Sequence, residues 1–78
     1  MKLSNGSELN IDWSKITTKE WRYACSPGTD LKVSDEIAGR LVGLTAEEVE
    51  ALNPIDNAML IKWIFDCYEK AVKGDPKN

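Results

Sequence analysis

This 78-residue sequence contains no histidine and only two cysteines. The commonest general base is therefore missing, and so are the mixed Cys/His zinc sets; two thiols alone do not close a metal site. Cys25 and Cys67 belong to no C-x-x-C pair. Both fall on apolar stripes, so reduced thiols buried as small hydrophobes are expected. The five glycines are dispersed, and none builds a phosphate-cradling loop. No apolar run exceeds Ala58–Ile61, far short of a membrane span. Basic charge is scarce, with 10 Lys+Arg against 13 Asp+Glu and a net charge of −3. The scattered Lys70, Lys73 and Lys77 complement the C-terminal dipole of a last helix and make no phosphate-binding patch. Asn5, Gly6, Ser7 and Glu8 interrupt any signal-peptide-like apolar run, so a reducing cytoplasm is expected.

What remains is material for one small domain. A chain of this size buries only about 60% of its unfolded surface, so every large apolar side chain counts. Trp13, Trp21 and Trp63 bring the most area. The expected fold class is mainly α: a short N-terminal β-hairpin followed by four helices, the last longest and central. One domain is expected over 1–73, with a frayed tail over 74–78.

The hairpin rests on Leu9, Ile11 and Trp13 alternating with Glu8, Asn10 and Asp12 beside the turn signal Asn5-Gly6. A three-residue loop, Asn5-Gly6-Ser7, pairs Leu3 with Leu9 and Met1 with Ile11 on one apolar face. Thr17-x-x-Glu20 is a capping box, with Ile16 stapling onto Trp21, and Pro27-Gly28 stops that helix. The second helix is expected from Ser34, burying Ile37, Ala38, Leu41 and Val42, with Gly43 as its C-cap. Thr45-x-x-Glu48 repeats the capping box, with Leu44 stapling onto Val49. Asn53-Pro54 ends this third helix and opens the fourth, which Gly74 and Pro76 stop.

The fourth helix is apolar round too much of its circumference. Leu60, Trp63, Ile64, Cys67 and Ala71 form an ordinary core stripe. Ile61, Phe65, Tyr68 and Val72 continue the apolar surface along a neighbouring edge, leaving Lys62, Asp66, Glu69 and Lys73 as the polar side. The arc covers roughly 240°, against about 100° or slightly more for a helix on a monomer's surface. Ile61, Phe65, Tyr68 and Val72 are therefore the candidate partner-contact residues, facing outward or onto a shallow cover.

Chemistry has little support. Glu47, Glu48 and Glu50 read as the solvated first turns of a capped helix and not as a catalytic or cation-binding group. No catalytic, cofactor-binding or metal-ligating residues, no cofactor and no small-molecule substrate are expected. Residues 35–49 have the outline of a helix-turn-helix, but its second helix would offer those three glutamates to phosphates. The turn glycine and following valine also fall one place late. A nucleic-acid binder of that type is one alternative, and a plain structural subunit that oligomerises through the last helix is another.

Several of these segments together resemble the small tail assembly chaperones of tailed bacteriophages. The residues are Ile37-Ala38, then Gly43-Leu44-Thr45-Ala46-Glu47-Glu48-Val49, then Leu52, Asp56 and an aromatic-rich closing helix through Phe65. Upstream, Leu3, Asn5-Gly6 and Thr17-Thr18-Lys19-Glu20-Trp21-Arg22 extend the likeness over most of the chain. Cys25-Ser26-Pro27-Gly28 and Trp63 depart from the family's pattern. The resemblance implies a helical protein of the bacterial host cytoplasm that takes part in virion morphogenesis. Its client would be the long tape measure protein, around which it helps to recruit the tail tube protein. The family contributes no residue-level binding motif.

Each capping box makes a prediction. Thr17→Ala and Thr45→Ala should each cost about 1 kcal/mol in a denaturant melt, because each leaves a helix-start amide unpaired. A silent substitution would mean that its helix begins elsewhere.

Overall fold

The computed structural model describes residues 1–73, so the expected tail over 74–78 lies outside the described residues. The protein is mainly helical, with a 3-10 turn at Trp13–Lys15 followed by α1 (Thr18–Cys25), α2 (Leu31–Val42), α3 (Ala46–Glu50) and α4 (Pro54–Lys73). Both capping boxes form. The Thr17 hydroxyl accepts from the Glu20 amide at 3.2 Å, while the Glu20 carboxylate accepts from the Thr17 amide at 2.9 Å. Thr45 and Glu48 repeat this at 3.1 and 2.8 Å. Gly43 ends α2 at φ +83°, where its amide and that of Leu44 both reach the Gly39 carbonyl. That left-handed conformation strains any residue with a Cβ.

Three expectations are corrected. The first concerns the N-terminus, where the described residues contain no strand and the hairpin reduces to one antiparallel bridge, Lys2 to Glu8. Gly6, at φ +91°, closes a loop of Ser4-Asn5-Gly6, its amide donating to the Leu3 carbonyl at 2.9 Å. The loop has the expected length but starts one residue early, so the Leu3 amide donates to the Ser7 carbonyl at 2.8 Å and Leu3 does not face Leu9. In this register Leu9 already lies opposite Met1, its amide donating to the Met1 carbonyl at 2.7 Å, and beyond Leu9 the chain takes another partner. The Asp12 amide donates to the Leu41 carbonyl at the end of α2 (2.9 Å), and the Asp12 side chain caps the 3-10 turn through Ser14. Leu3 and Leu9 still enter the core.

The second correction moves the start of α2 one turn earlier, from Ser34 to Leu31. Asp30 is the N-cap, accepting from the Lys32 amide at 2.9 Å. Its own amide is held by the Tyr23 hydroxyl at 3.2 Å. The extra turn was hidden because it buries nothing: Leu31 and Val33 are exposed.

Third, α4 is longest but α2 is central. The 3-10 turn, α1 and α3 all pack on α2, and α4 joins through side chains. The main core gathers Leu3, Leu9, Ala38, Leu41, Val42, Leu60 and Ile64. A 20-residue helix is about 30 Å long, while the 12 residues of α2 span about 18 Å. Residues 69–73 are all exposed, so the last turn of α4 projects past the core and Ala71 with it; Trp63 and Cys67, nearer the middle, are half-buried.

The opposite end of α4 is pinned. Asn53 caps it by accepting from the Asp56 amide at 2.9 Å. The buried Asp56 carboxylate accepts from the Asn53 side-chain amide at 3.2 Å and the Ser4 hydroxyl at 2.7 Å. A buried carboxylate without such donors would be costly, so this network fixes the N-terminal turn against α4.

Gly39 generates the second prediction. A Cβ there would lie 2.5 Å from the Leu44 carbonyl oxygen and 3.2 Å from a Val49 methyl. Helix propensity alone predicts that Gly39→Ala stabilises by about 0.5–1 kcal/mol. Steric overlap with backbone should reverse the sign and cost about 1–3 kcal/mol or more in a urea melt. Stabilisation would show that the α2–α3 turn is looser than described.

Candidate functional site

Two apolar strips run side by side on α4. Leu60 and Ile64 point into the core. Turned from them by roughly 80–100°, Ile61, Phe65, Tyr68 and Val72 recur at i, i+4, i+7 and i+11, one face of a 3.6-residue helix. Their exposures are 36%, 46%, 37% and 64%.

The four residues have different surroundings. Trp21 of α1 stacks on Tyr68 with ring centroids 4.5 Å apart and planes 28° from parallel. Trp21 also meets the Phe65 ring at 5.4 Å. Trp13 approaches Trp21 edge-on at 5.5 Å and Tyr68 at 5.8 Å. Such pairs contribute about 0.5–1.5 kcal/mol each beyond their area. Ile61 sits on the rim of an apolar cavity of about 90 Å³ between α1, α2 and α4, with Cys25, Ile37, Leu41 and Phe65 among its walls. Val72 lies on the overhang.

Trp13 and Trp21 are the residues that sequence reasoning missed. It placed one on a strand and the other on the face of α1, and aromatic contact between distant segments leaves no local pattern. Ile55 and Met59, exposed on the first turns of α4, also lie outside the expected set, as do the individually exposed Tyr23, Leu31 and Val33.

Several charged groups link elements of the fold. Arg40 donates to Glu20 at 2.6 Å, tying α1 to α2. The Arg40 guanidinium, and then the Thr17 amide, hold the Glu20 carboxyl below its ordinary range. Ser14 does the same for Asp12, first through its hydroxyl and then its amide. Asp35 shifts the other way, raised by burial and then by the charge of Glu50. Lys62–Asp66 and Lys73–Glu69 are exposed i,i+4 pairs, which contribute little.

Among the described residues, no group of three or more His, Cys, Asp or Glu could hold a metal ion. No described helix is long and apolar enough to cross a membrane. Both cysteines are free, but the expectation that both are buried is corrected: Cys25 is exposed and Cys67 half-buried. Cys25 ends α1, a surface helix with no buried residue. Partial desolvation raises its thiol pKa, which disfavours the nucleophilic thiolate. Compared with models of known protein families, with curated proteins and with solved structures, the chain shows no match.

The third prediction follows from the carboxylates. A depressed folded-state pKa gives stability that is present above the unfolded value and lost as pH falls through the folded one. The stabilisation from Glu20 should therefore be lost as pH drops below 4.5, and that from Asp12 as it drops below 3.8. In Glu20→Gln, the fall in Tm between about pH 5 and pH 3 should be smaller than in wild type. Asp35 has the opposite sign, since its raised pKa weakens the fold when it is charged. Asp35→Asn should raise Tm near neutrality, with the gain shrinking as pH falls. Thermal melts across this range check both signs, and identical pH profiles in all three proteins would contradict the assignment.

Proposed function

We propose that the protein is a non-catalytic binding module that holds an apolar helical segment of another protein along Ile61, Phe65, Tyr68 and Val72. The observation that carries this reading is the second apolar face of α4, where four large side chains stay at least 36% exposed although the neighbouring face already serves the core. A contiguous apolar face of this kind marks an interaction site more often than it marks idle surface. The acidic, charge-mixed remainder keeps such a molecule soluble.

The resemblance to tail assembly chaperones supplies the client: a phage tape measure protein, with the tail tube protein as a further partner, in the cytoplasm of a bacterial host. A chaperone of this type stabilises its client by mass action and needs no reactive group. The helix-turn-helix alternative is disfavoured by α3, which has only five residues and carries Glu47 and Glu48 in its first turn. A groove-reading helix needs cations or donors there.

Charged substitution separates binding from folding. Val72→Asp touches only the overhang and should leave Tm nearly unchanged. Phe65→Asp also loses the Trp21 contact and should cost about 1–2 kcal/mol. Both should abolish solubilisation of a co-expressed tape measure segment. Ile64→Asp places an unpaired carboxylate in the core and should unfold the domain. Sedimentation of the same variants distinguishes the plain oligomer, which would dissociate on Val72→Asp without any client involved. If Val72→Asp and Phe65→Asp hold the client as well as wild type does, the binding face is not on α4.

A further inference from the structure

We infer that α1 is a hinged cover, one that lifts from α4 and uncovers the aromatic half of the proposed binding face; this rests on the α4 reading above. α1 reaches the core only from outside, through the half-buried Trp21 packed against it. None of the residues Thr18–Cys25 is buried, and the buried cluster of Leu3, Leu9, Ala38, Leu41, Val42, Leu60 and Ile64 takes nothing from it. Eight residues are also too few for a helix that stands on its own, so α1 persists only while it is docked.

Its docking is slender. Trp21 lies on Tyr68 and Phe65 with Trp13 edge-on to it, and Arg40 grips Glu20 at 2.6 Å with both side chains partly exposed. Beneath it the fit is loose, since the cavity of about 90 Å³ lies between α1, α2 and α4. Both ends of the helix leave it through non-helical backbone, the C-terminal turn being bridged by the Thr29 hydroxyl donating to the Tyr23 carbonyl at 2.6 Å. Ile16 is extended on one side; on the other, Pro27 and Gly28 form a turn with Gly28 at φ +79°. The Tyr23 hydroxyl binds the Asp30 amide at the hinge itself, so it constrains the pivot more than the swing.

Lifting α1 removes Trp21 from Phe65 and Tyr68 and opens the cavity wall beside Ile61. The space vacated is that of one indole, which suits an aromatic or long aliphatic side chain on an incoming helix. Closed, the cover shields the face from indiscriminate contact. Open, it offers rings that have just lost their partner, so a client is paired with opening and α1 competes with it. Arg40–Glu20 is the latch.

Hydrogen exchange read by mass spectrometry on the full chain tests this without a client. In wild type, the amides of Thr18–Cys25 should exchange through a local opening that responds weakly to added urea, well before those of α2 and the middle of α4. Glu20→Gln preserves the capping partner of Thr17 but removes the charge from the latch. It should speed exchange in α1 by roughly three- to tenfold and leave α2 and the Leu60–Ile64 turn unchanged. Arg40→Gln, which breaks the latch from the other side, should do the same. If α1 exchanges only with the whole domain, or if both variants accelerate every helix equally, α1 is a fixed part of the fold and the inference fails. Local opening of α1 combined with no client holding by wild type would sink the binding reading and leave the cover standing.

Discussion

The last turns of α2 are the constraint on which the rest of the molecule depends. Gly39 presents a bare backbone to the turn that follows, and its carbonyl takes the amides of both Gly43 and Leu44. The Leu41 side chain is only 1% exposed within the core, and its carbonyl takes the amide of Asp12. One short stretch thus fixes where α3 starts and where the N-terminal segment ends, and its side chains seat Leu60 and Ile64 of α4. In a domain this small no second core could take over these roles.

Much of this was legible in the sequence because the signals were local. Capping boxes at Thr17 and Thr45, the Gly43 stop and the Asn53-Pro54 start each have a mechanism confined to a few residues. The illegible parts were set by distant partners. Alternation from Leu9 to Trp13 suggests a strand, yet Asp12 bonds to Leu41 and the ladder stops after one bridge. Asp30 gives no visible cap signal because the turn it opens is exposed and shows no apolar period. Asp56 could be read only as a first-turn acid, while its contact with Ser4 spans most of the chain. The apolar stripe of Ile61, Phe65, Tyr68 and Val72 was visible as a pattern, but nothing local could show that Trp13 and Trp21 would lie over part of it.

These features describe a trade between stability and availability. A chain with so few large apolar residues gains most by burying all of them, yet Phe65, Tyr68, Val72, Met59 and Ile55 stay at least 37% exposed. Val72 is exposed with its neighbours because the last turn of α4, residues 69–73, projects past the core. The aromatic cluster is a compromise in which Trp21 and Trp13 shelter Phe65 and Tyr68 without sealing them. A face sheltered in this way can remain soluble alone and still bind, which is what the reading as a holding protein requires.

The proposed partner docks on the outer face of α4 and not on the exposed apolar residues Tyr23, Leu31 and Val33. Methyl-resolved NMR of the labelled protein, titrated with a helical segment of a tape measure protein as the proposed client, tests it most directly. The methyl signals of Ile61 and Val72 should shift and saturate together, with Leu31 and Val33 unmoved and Ile55 close to its free position. Saturating shifts confined to Leu31 and Val33, or no shifts anywhere at millimolar client, would contradict the account.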